Sequence, residues 1–145
     1  MSHKKTINVA LIGNPNTGKT SLFNELTGLN QKVGNYPGVT VDKKEGSSKL
    51  QKNLKAIITD LPGTYSINPT SLDESIVLKT LLNSKTEKKS DVIVVVADIE
   101  NLKRNLLLFS QIKDLEIPTV LAINMADQME RKGITLDIKL LEKEL

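Results

Sequence analysis

The stretch Gly13-Asn14-Pro15-Asn16-Thr17-Gly18-Lys19-Thr20 sets two glycines around a short polar run and closes on a lysine beside a threonine. A phosphate chain carries several negative charges and needs donors that add no bulk. Gly13 and Gly18 permit close approach of the backbone, so successive N–H groups form a concave nest at the positive end of the helix that follows. In such a loop Lys19 places a point charge on the β- and γ-phosphates of a nucleotide, and the Thr20 hydroxyl takes a position on Mg²⁺. The spacing is that of G-x-x-x-x-G-K-[ST], a phosphate loop.

Further stretches supply what a phosphate loop lacks. Asp60-Leu61-Pro62-Gly63 puts a carboxylate three residues before a glycine, so Asp60 can hold Mg²⁺ through its water shell and the Gly63 N–H can meet a γ-phosphate oxygen. Thr40 ends an irregular segment, where its hydroxyl can reach the same Mg²⁺ and its N–H the γ-phosphate. In Asn124-Met125-Ala126-Asp127 the Asp127 carboxylate can accept from guanine N1–H and the exocyclic amine together, while Asn124 braces the pocket and contacts the base. Adenine presents a ring acceptor and an exocyclic donor instead, so this pair selects guanine.

The elements that must carry these residues are legible as hydrophobic pattern. Thr6 to Ile12 is nearly continuously apolar and predicts a buried parallel strand running into the phosphate loop. Ser21 to Leu26 has helical spacing at Leu22, Phe23 and Leu26, with Gly28 as C-cap. Leu29 to Val41 has neither period and is expected to be a mobile loop. Val41 to Leu50 and Leu54 to Thr59 predict two strands around the turn Gln51-Lys52-Asn53, with an irregularity at Gly46-Ser47-Ser48. A helix opens at Leu72-Asp73-Glu74-Ser75, after an irregular run from Thr64. Asn83 to Ser90 is a polar, lysine-rich connection before the apolar strand Asp91 to Asp98. Leu102 to Leu115 predicts a helix with Leu106, Leu107, Phe109, Ile112 and Leu115 inward. The strand Pro118 to Ile123 leads to Asn124, and Leu136 to Leu145 is a last amphipathic segment.

Composition narrows the classes. At 145 residues, with 26% charged and 39% hydrophobic side chains, the chain has the balance of one ordinary globular domain. It has no cysteine, which excludes a disulfide framework and a Cys-based metal site. No apolar run reaches the roughly 20 residues of a membrane span. The net charge of +3 is small, and neither Lys49, Lys52 and Lys55 nor Lys85, Lys88 and Lys89 are interleaved with aromatics. Those lysines predict solvated faces rather than a nucleic-acid surface. His3, the single histidine, lies in a terminal tail and is no candidate ligand or base.

Phosphate loop, Thr40, Asp60 to Gly63 and Asn124 to Asp127 occur in the order and spacing of the Ras-like GTPases. More narrowly, Gly13 to Asn24, Val33-Gly34-Asn35-Tyr36-Pro37-Gly38-Val39-Thr40-Val41 and Asp60-Leu61-Pro62-Gly63-Thr64-Tyr65-Ser66 resemble the cytosolic G domain of the FeoB ferrous iron transporters. The resemblance covers essentially the whole chain. It implies an α/β fold with a mostly parallel sheet and helices on both faces, GTP and GDP as ligands, Mg²⁺, and slow hydrolysis coupled to a membrane permease at the cytoplasmic face of the bacterial inner membrane. It further implies nucleotide contacts at Gly13, Asn14, Pro15, Asn16, Thr17, Gly18, Lys19, Thr20 and Ser21, at Gly38, Val39 and Thr40, along Asp60, Leu61, Pro62 and Gly63, and at Asn124, Met125 and Asp127. Lys19, Thr40 and Gly63 are the expected catalytic groups; Thr20, Thr40 and Asp60 are the expected Mg²⁺ ligands. The family also implies a K⁺ beside the phosphates bound by Asn16, with the loop from Asn35 to Val39 closing over it. A second copy of the chain, as a homo-oligomer, is a further candidate partner.

Two departures are expected to matter. The family's Ser-Ala turn on the base, its last strand and helix, the helical domain and the membrane spans would lie beyond Leu145, so the resemblance implies an N-terminal piece that is C-terminally incomplete and exposes apolar surface. Thr64 follows D-x-x-G where many relatives carry a water-orienting glutamine, which predicts slow turnover. Two other classes share the motifs: a soluble GTPase acting on ribosome or tRNA, and a nucleotide switch with negligible hydrolysis.

Overall fold

A computed structural model describes residues 5–36, 41–68, 70–82 and 90–145. Strands β1 (Lys5–Gly13), β2 (Gln31–Asn35), β3 (Asp42–Gln51), β4 (Leu54–Asp60), β5 (Val92–Asp98) and β6 (Thr119–Asn124) form one six-stranded sheet in the order β2-β3-β4-β1-β5-β6. β4, β1, β5 and β6 run parallel, whereas β3 is antiparallel to β4 and β2 to β3. Helices α1 (Lys19–Thr27), α2 (Leu72–Leu82), α3 (Leu102–Lys113), α4 (Asp127–Lys132) and α5 (Ile138–Glu144) complete the described residues, with a short 3₁₀ turn at Ile99–Asn101.

Alternation along β1 sends side chains to two cores. Ala10 and Ile12 meet Ile93 and Val95 beneath Val77 and Leu81 of α2 and Leu108, Phe109 and Ile112 of α3. Leu11 faces the other way, with Ala56, Ile58 and Val96 beneath Phe23 of α1. Helices therefore cover both faces, as the apolar runs of the inner strands require. The C-terminal ends of β1, β4, β5 and β6 meet at one edge of the sheet, which is where a parallel α/β sheet places its ligands.

Some expectations need correction. The segment from Leu29 is not loop throughout: Gln31 to Asn35 form the edge strand β2, paired from Gln31↔Gly46 to Asn35↔Asp42. Its residues are largely exposed on both sides, so no alternation marks it in the sequence. The β3–β4 irregularity lies between Lys49 and Gln51, not at Gly46-Ser47-Ser48. Gly46 serves close packing instead, since a Cβ there would lie 2.5 Å from Thr27 Cγ2 of α1. In α3 the inward face is Asn105, Leu108, Phe109 and Ile112, and Leu107 is exposed. A run of three leucines at 106–108 leaves the helical phase ambiguous, and the Asn105 bond to β5 described below fixes it. In α5, Ile138 and Leu140 are exposed, and Leu145 beyond it packs on the α3 core. His3, Lys85, Lys88 and Lys89 lie outside the described residues.

Helix α2 begins on a reciprocal cap. Ser71 Oγ accepts from Glu74 N at 3.2 Å, and Glu74 Oε2 accepts from Thr70 N at 3.0 Å and Thr70 Oγ1 at 2.5 Å. The Thr70 hydroxyl and backbone bonds favour the charged carboxylate and hold Glu74 below its usual range. A lowered folded-state value makes this cap fully effective above the unfolded value of about 4.3 and lost as pH falls through the folded one. The protection factors of the amides at the start of α2 are expected to fall below that point, and Glu74→Gln should abolish that change in protection; an unchanged protection profile in the variant would contradict the assignment.

Candidate functional site

The phosphate loop is held by its neighbours and by the Thr17 side chain within it. Gly13 pairs with Val96 in the β1–β5 ladder, and its carbonyl accepts from Thr64 N at 3.0 Å. Thr17 Oγ1 donates to Asn14 O at 3.0 Å inside the loop. Asn16 sits at φ 65 and Gly18 at φ 80, left-handed conformations that turn the chain into α1. Asparagine tolerates that region and glycine is free in it. At Gly18 a Cβ would also lie 2.2 Å from Asn124 Nδ2, so any other residue there would have to displace the Asn124 side chain.

Lys19 is buried, and its Nζ donates to Asp60 Oδ1 and, at 2.6 Å, to Leu61 O. Asp60 closes β4 at 5% exposure, and its second oxygen accepts from Thr20 Oγ1 at 3.5 Å. One carboxylate and one hydroxyl side by side are hard oxygen donors of the sort that Mg²⁺ takes together with phosphate and water, so the residues present fit that ion. No cluster of three or more His, Cys, Asp or Glu able to hold a metal occurs among the described residues. Asn14 is buried with its Oδ1 unpartnered among them, at the base of the loop.

The D-x-x-G turn lies against the phosphate loop. Leu61 donates its N–H to Leu11 O at 3.0 Å, and a Cβ on Gly63 would sit 3.3 Å from Pro15. The Leu61 side chain is buried in the α2–α3 core, so only its backbone faces the site; Pro62 is half-buried. Thr64 is buried with Oγ1 donating to Ser66 O at 2.7 Å. Ser21 is exposed on α1. Gly38, Val39 and Thr40 lie outside the described residues.

The end of β6 reaches the same place. Asn124 Nδ2 donates to Thr17 O at 3.0 Å, tying the base motif to the phosphate loop across the sheet edge. Met125 is at φ 60, a strained conformation for a long side chain of the sort that concentrates at ligand sites. Asp127 opens α4, exposed, with Gln128 Nε2 donating to its Oδ2 at 3.2 Å.

Several positioning residues carry no motif. Asp98 ends β5 as Asp60 ends β4; its carboxylate accepts from Glu100 N at 2.9 Å and Asn101 Nδ2 at 3.1 Å, and its own N–H donates to Asn105 Oδ1 at 2.7 Å. A carboxylate closing an apolar strand is the signal that points to it. Gln111 Oε1 accepts from Ser66 Oγ at 3.0 Å and Ile67 N at 3.1 Å, and Arg104 lies 4.4 Å from the Tyr65 ring centroid. Helix α3 thereby holds the segment after D-x-x-G. Tyr36 packs its ring on the α2–α3 core. Burial, opposed by Thr80 and supplemented by the Asp60 and Glu45 carboxylates, pushes its hydroxyl up to about 12.

Comparison with known proteins gives this geometry a family. The family model described as "Ferrous iron transport protein B" matches residues 7–145. The Fe(2+) transporter FeoB of Leptospira biflexa is 48% identical over 141 residues, 97% of this chain and 20% of that protein. The crystal structure of the G domain of the T. maritima FeoB iron transporter superposes with a TM-score of 0.87 at 41% identity, covering 97% of this chain and 83% of that one. A point mutant of S. thermophilus NFeoB bound to mGDP gives a TM-score of 0.88 at 44% identity over 97% of this chain and 52% of that one. The chain spans about a fifth of the length of the curated relatives it matches. Residue by residue and fold by fold, this chain belongs to the ferrous iron transport protein B family.

Proposed function

We propose that this chain binds GTP and GDP with Mg²⁺ and hydrolyses GTP slowly, as the regulatory domain of a membrane Fe²⁺ transporter. The observation that carries the reading is the convergence of three motifs at one sheet edge: Lys19 bonded to Asp60 and Leu61 O, and Asn124 bonded to Thr17 O. Solved S. thermophilus relatives bound to GDP support guanine as the base. In this reading the loop N–H groups from Asn14 to Thr20 and the Lys19 ammonium bind the phosphates, with Gly63 N–H and Thr40 on the γ-phosphate. Thr20, Thr40 and Asp60 hold Mg²⁺, which when bound neutralises charge on the β- and γ-oxygens. Asp127 and Asn124 take the guanine, beside Met125. Asn16 is the residue for K⁺. The attacking water is held by backbone groups near Thr40 and Gly63.

The buried Thr64 hydroxyl, engaged with Ser66 O, also favours the second reading, a nucleotide switch with negligible hydrolysis. Equilibrium titration with GTP, GDP and ATP tests the binding part. Micromolar or tighter affinity for both guanine nucleotides and at least about 100-fold weaker ATP is expected; equal affinity for ATP would overturn it. Phosphate release over a single turnover, measured in K⁺ and in Na⁺, separates enzyme from switch, and equal rates would remove Asn16 from the K⁺ role. Regulation of iron passage is tested in the full-length transporter, where Fe²⁺ uptake should follow the nucleotide state.

A further inference from the structure

The pole of the sheet opposite the phosphate loop carries a surface that nucleotide binding does not use. The β3–β4 turn at residues 52–53 lies there, beside the start of β1, where Lys5 N donates to Asn53 O at 2.8 Å. Lys49 of β3 stands directly opposite Lys55 of β4 in the antiparallel ladder. Like charges in that position repel and lower stability. Lys52 adds a third cation at the turn, and among the described residues none of these lysines has an ion pair.

Apolar side chains share this pole. Leu29, just after α1, is fully exposed at 101%, and Leu50, next to Lys49 in the chain, is 49% exposed. A depression of about 280 Å³ bordered by Leu29, Asn30, Ser47 and Lys55 adjoins one of about 210 Å³ bordered by Lys49, Lys52 and Leu54, and Asn30, Ser47 and Lys55 belong to both. Leu29, Lys49, Lys52, Leu54 and Lys55 thus border one continuous surface.

We propose that this pole docks on the headgroup layer of an anionic phospholipid bilayer, with the lysines on phosphates and Leu29 and Leu50 at the interface. Lysines beside a bilayer gain from its negative surface potential, and exposed leucines gain from the acyl boundary. A nucleic acid fits less well: no aromatic side chain borders either depression, so this surface offers no ring for base stacking, and exposed leucines gain nothing from phosphodiesters. An acidic protein would need fixed polar partners to set register, whereas a fluid headgroup layer does not. The inference stands on this surface and not on nucleotide binding, so either can fail alone.

Sedimentation of the chain with phosphatidylcholine vesicles, with and without about one-third phosphatidylglycerol, tests it. Binding to the anionic vesicles only, weakening as salt rises, is expected. The triple variant Lys49→Glu, Lys52→Glu, Lys55→Glu should lose at least about tenfold in partitioning. A charge-matched control, Lys103→Glu, Lys113→Glu, Lys139→Glu, should keep most of it. Leu29→Ser with Leu50→Ser should weaken binding without changing net charge. Lys55→Glu alone creates an attractive pair with Lys49, so it should hold or raise the melting temperature while still weakening partitioning, which separates lost binding from lost folding. Equal binding to neutral vesicles, no effect of the triple reversal, or lysine-dependent binding of duplex DNA in place of vesicles would each overturn the proposal.

Discussion

Replacing Lys19 by alanine is expected to remove tight nucleotide binding and lower the melting temperature in the same protein. The first effect follows from charge. Lys19 closes the phosphate loop at the start of α1, and charge-assisted bonds to phosphate oxygens contribute about 1.5–3 kcal/mol each, so affinity should fall about 10- to 100-fold for GDP and further for GTP, where the γ-phosphate adds a second bond. The second follows from the pairing in this structure. Lys19 Nζ bonds Asp60 Oδ1 and Leu61 O where both side chains are nearly buried, so alanine leaves the buried Asp60 carboxyl without its lysine partner. Breaking a buried pair from one side costs about 3–5 kcal/mol, a drop on the order of 10 °C in a domain of this size. The two effects separate in the double variant Lys19→Met, Asp60→Leu. Removing both charges should recover much of the melting temperature while nucleotide binding stays lost. Titration calorimetry and thermal unfolding read both quantities; unchanged GDP affinity in Lys19→Ala would refute the phosphate-loop role.

The site is legible in the sequence because its requirements are local. A loop that must admit phosphate needs Gly13 and Gly18 at fixed spacing, and the apolar runs before Gly13, Asp60 and Asn124 announce strands ending there. Nothing local encodes the contacts that join these turns. The Asn124–Thr17 bond spans 107 residues of sequence, and Gln111 meets Ser66 across 45. Either side chain, taken alone, reads as an ordinary polar residue. Strand β2 escapes sequence reading for the converse reason: an edge strand exposed on both faces has no burial to print a pattern. Leu107 reads as core because three consecutive leucines satisfy any helical phase, and the choice is made by Asn105 reaching the Asp98 backbone. The cross-strand Lys49–Lys55 repulsion is equally invisible, since it depends on register.

Asp127→Asn is expected to erase discrimination at the purine 2-position while leaving the phosphate contacts intact. A carboxylate accepts from both N1–H and the N2 amine of guanine, and each such charge-assisted bond is stronger than its neutral equivalent. Asparagine keeps one acceptor and turns a donor toward N1–H, so GDP affinity should fall by about 10- to 100-fold. The more telling quantity is the ratio of guanosine to inosine nucleotide, because inosine lacks only the N2 amine. The native chain should prefer guanosine by about tenfold or more, and the variant should show little preference. Stability should hardly change, since Asp127 is exposed at the start of α4 and among the described residues its side chain accepts from the adjacent Gln128 alone. Its position depends on backbone: Met125 in the left-handed region and the Gln128 N to Met125 O bond at 3.0 Å shape the turn that presents it. Competition binding with GDP, IDP and ADP measures the effect. An unaltered guanosine-to-inosine ratio in Asp127→Asn would place base recognition elsewhere, even if Lys19 proved indispensable to the phosphates.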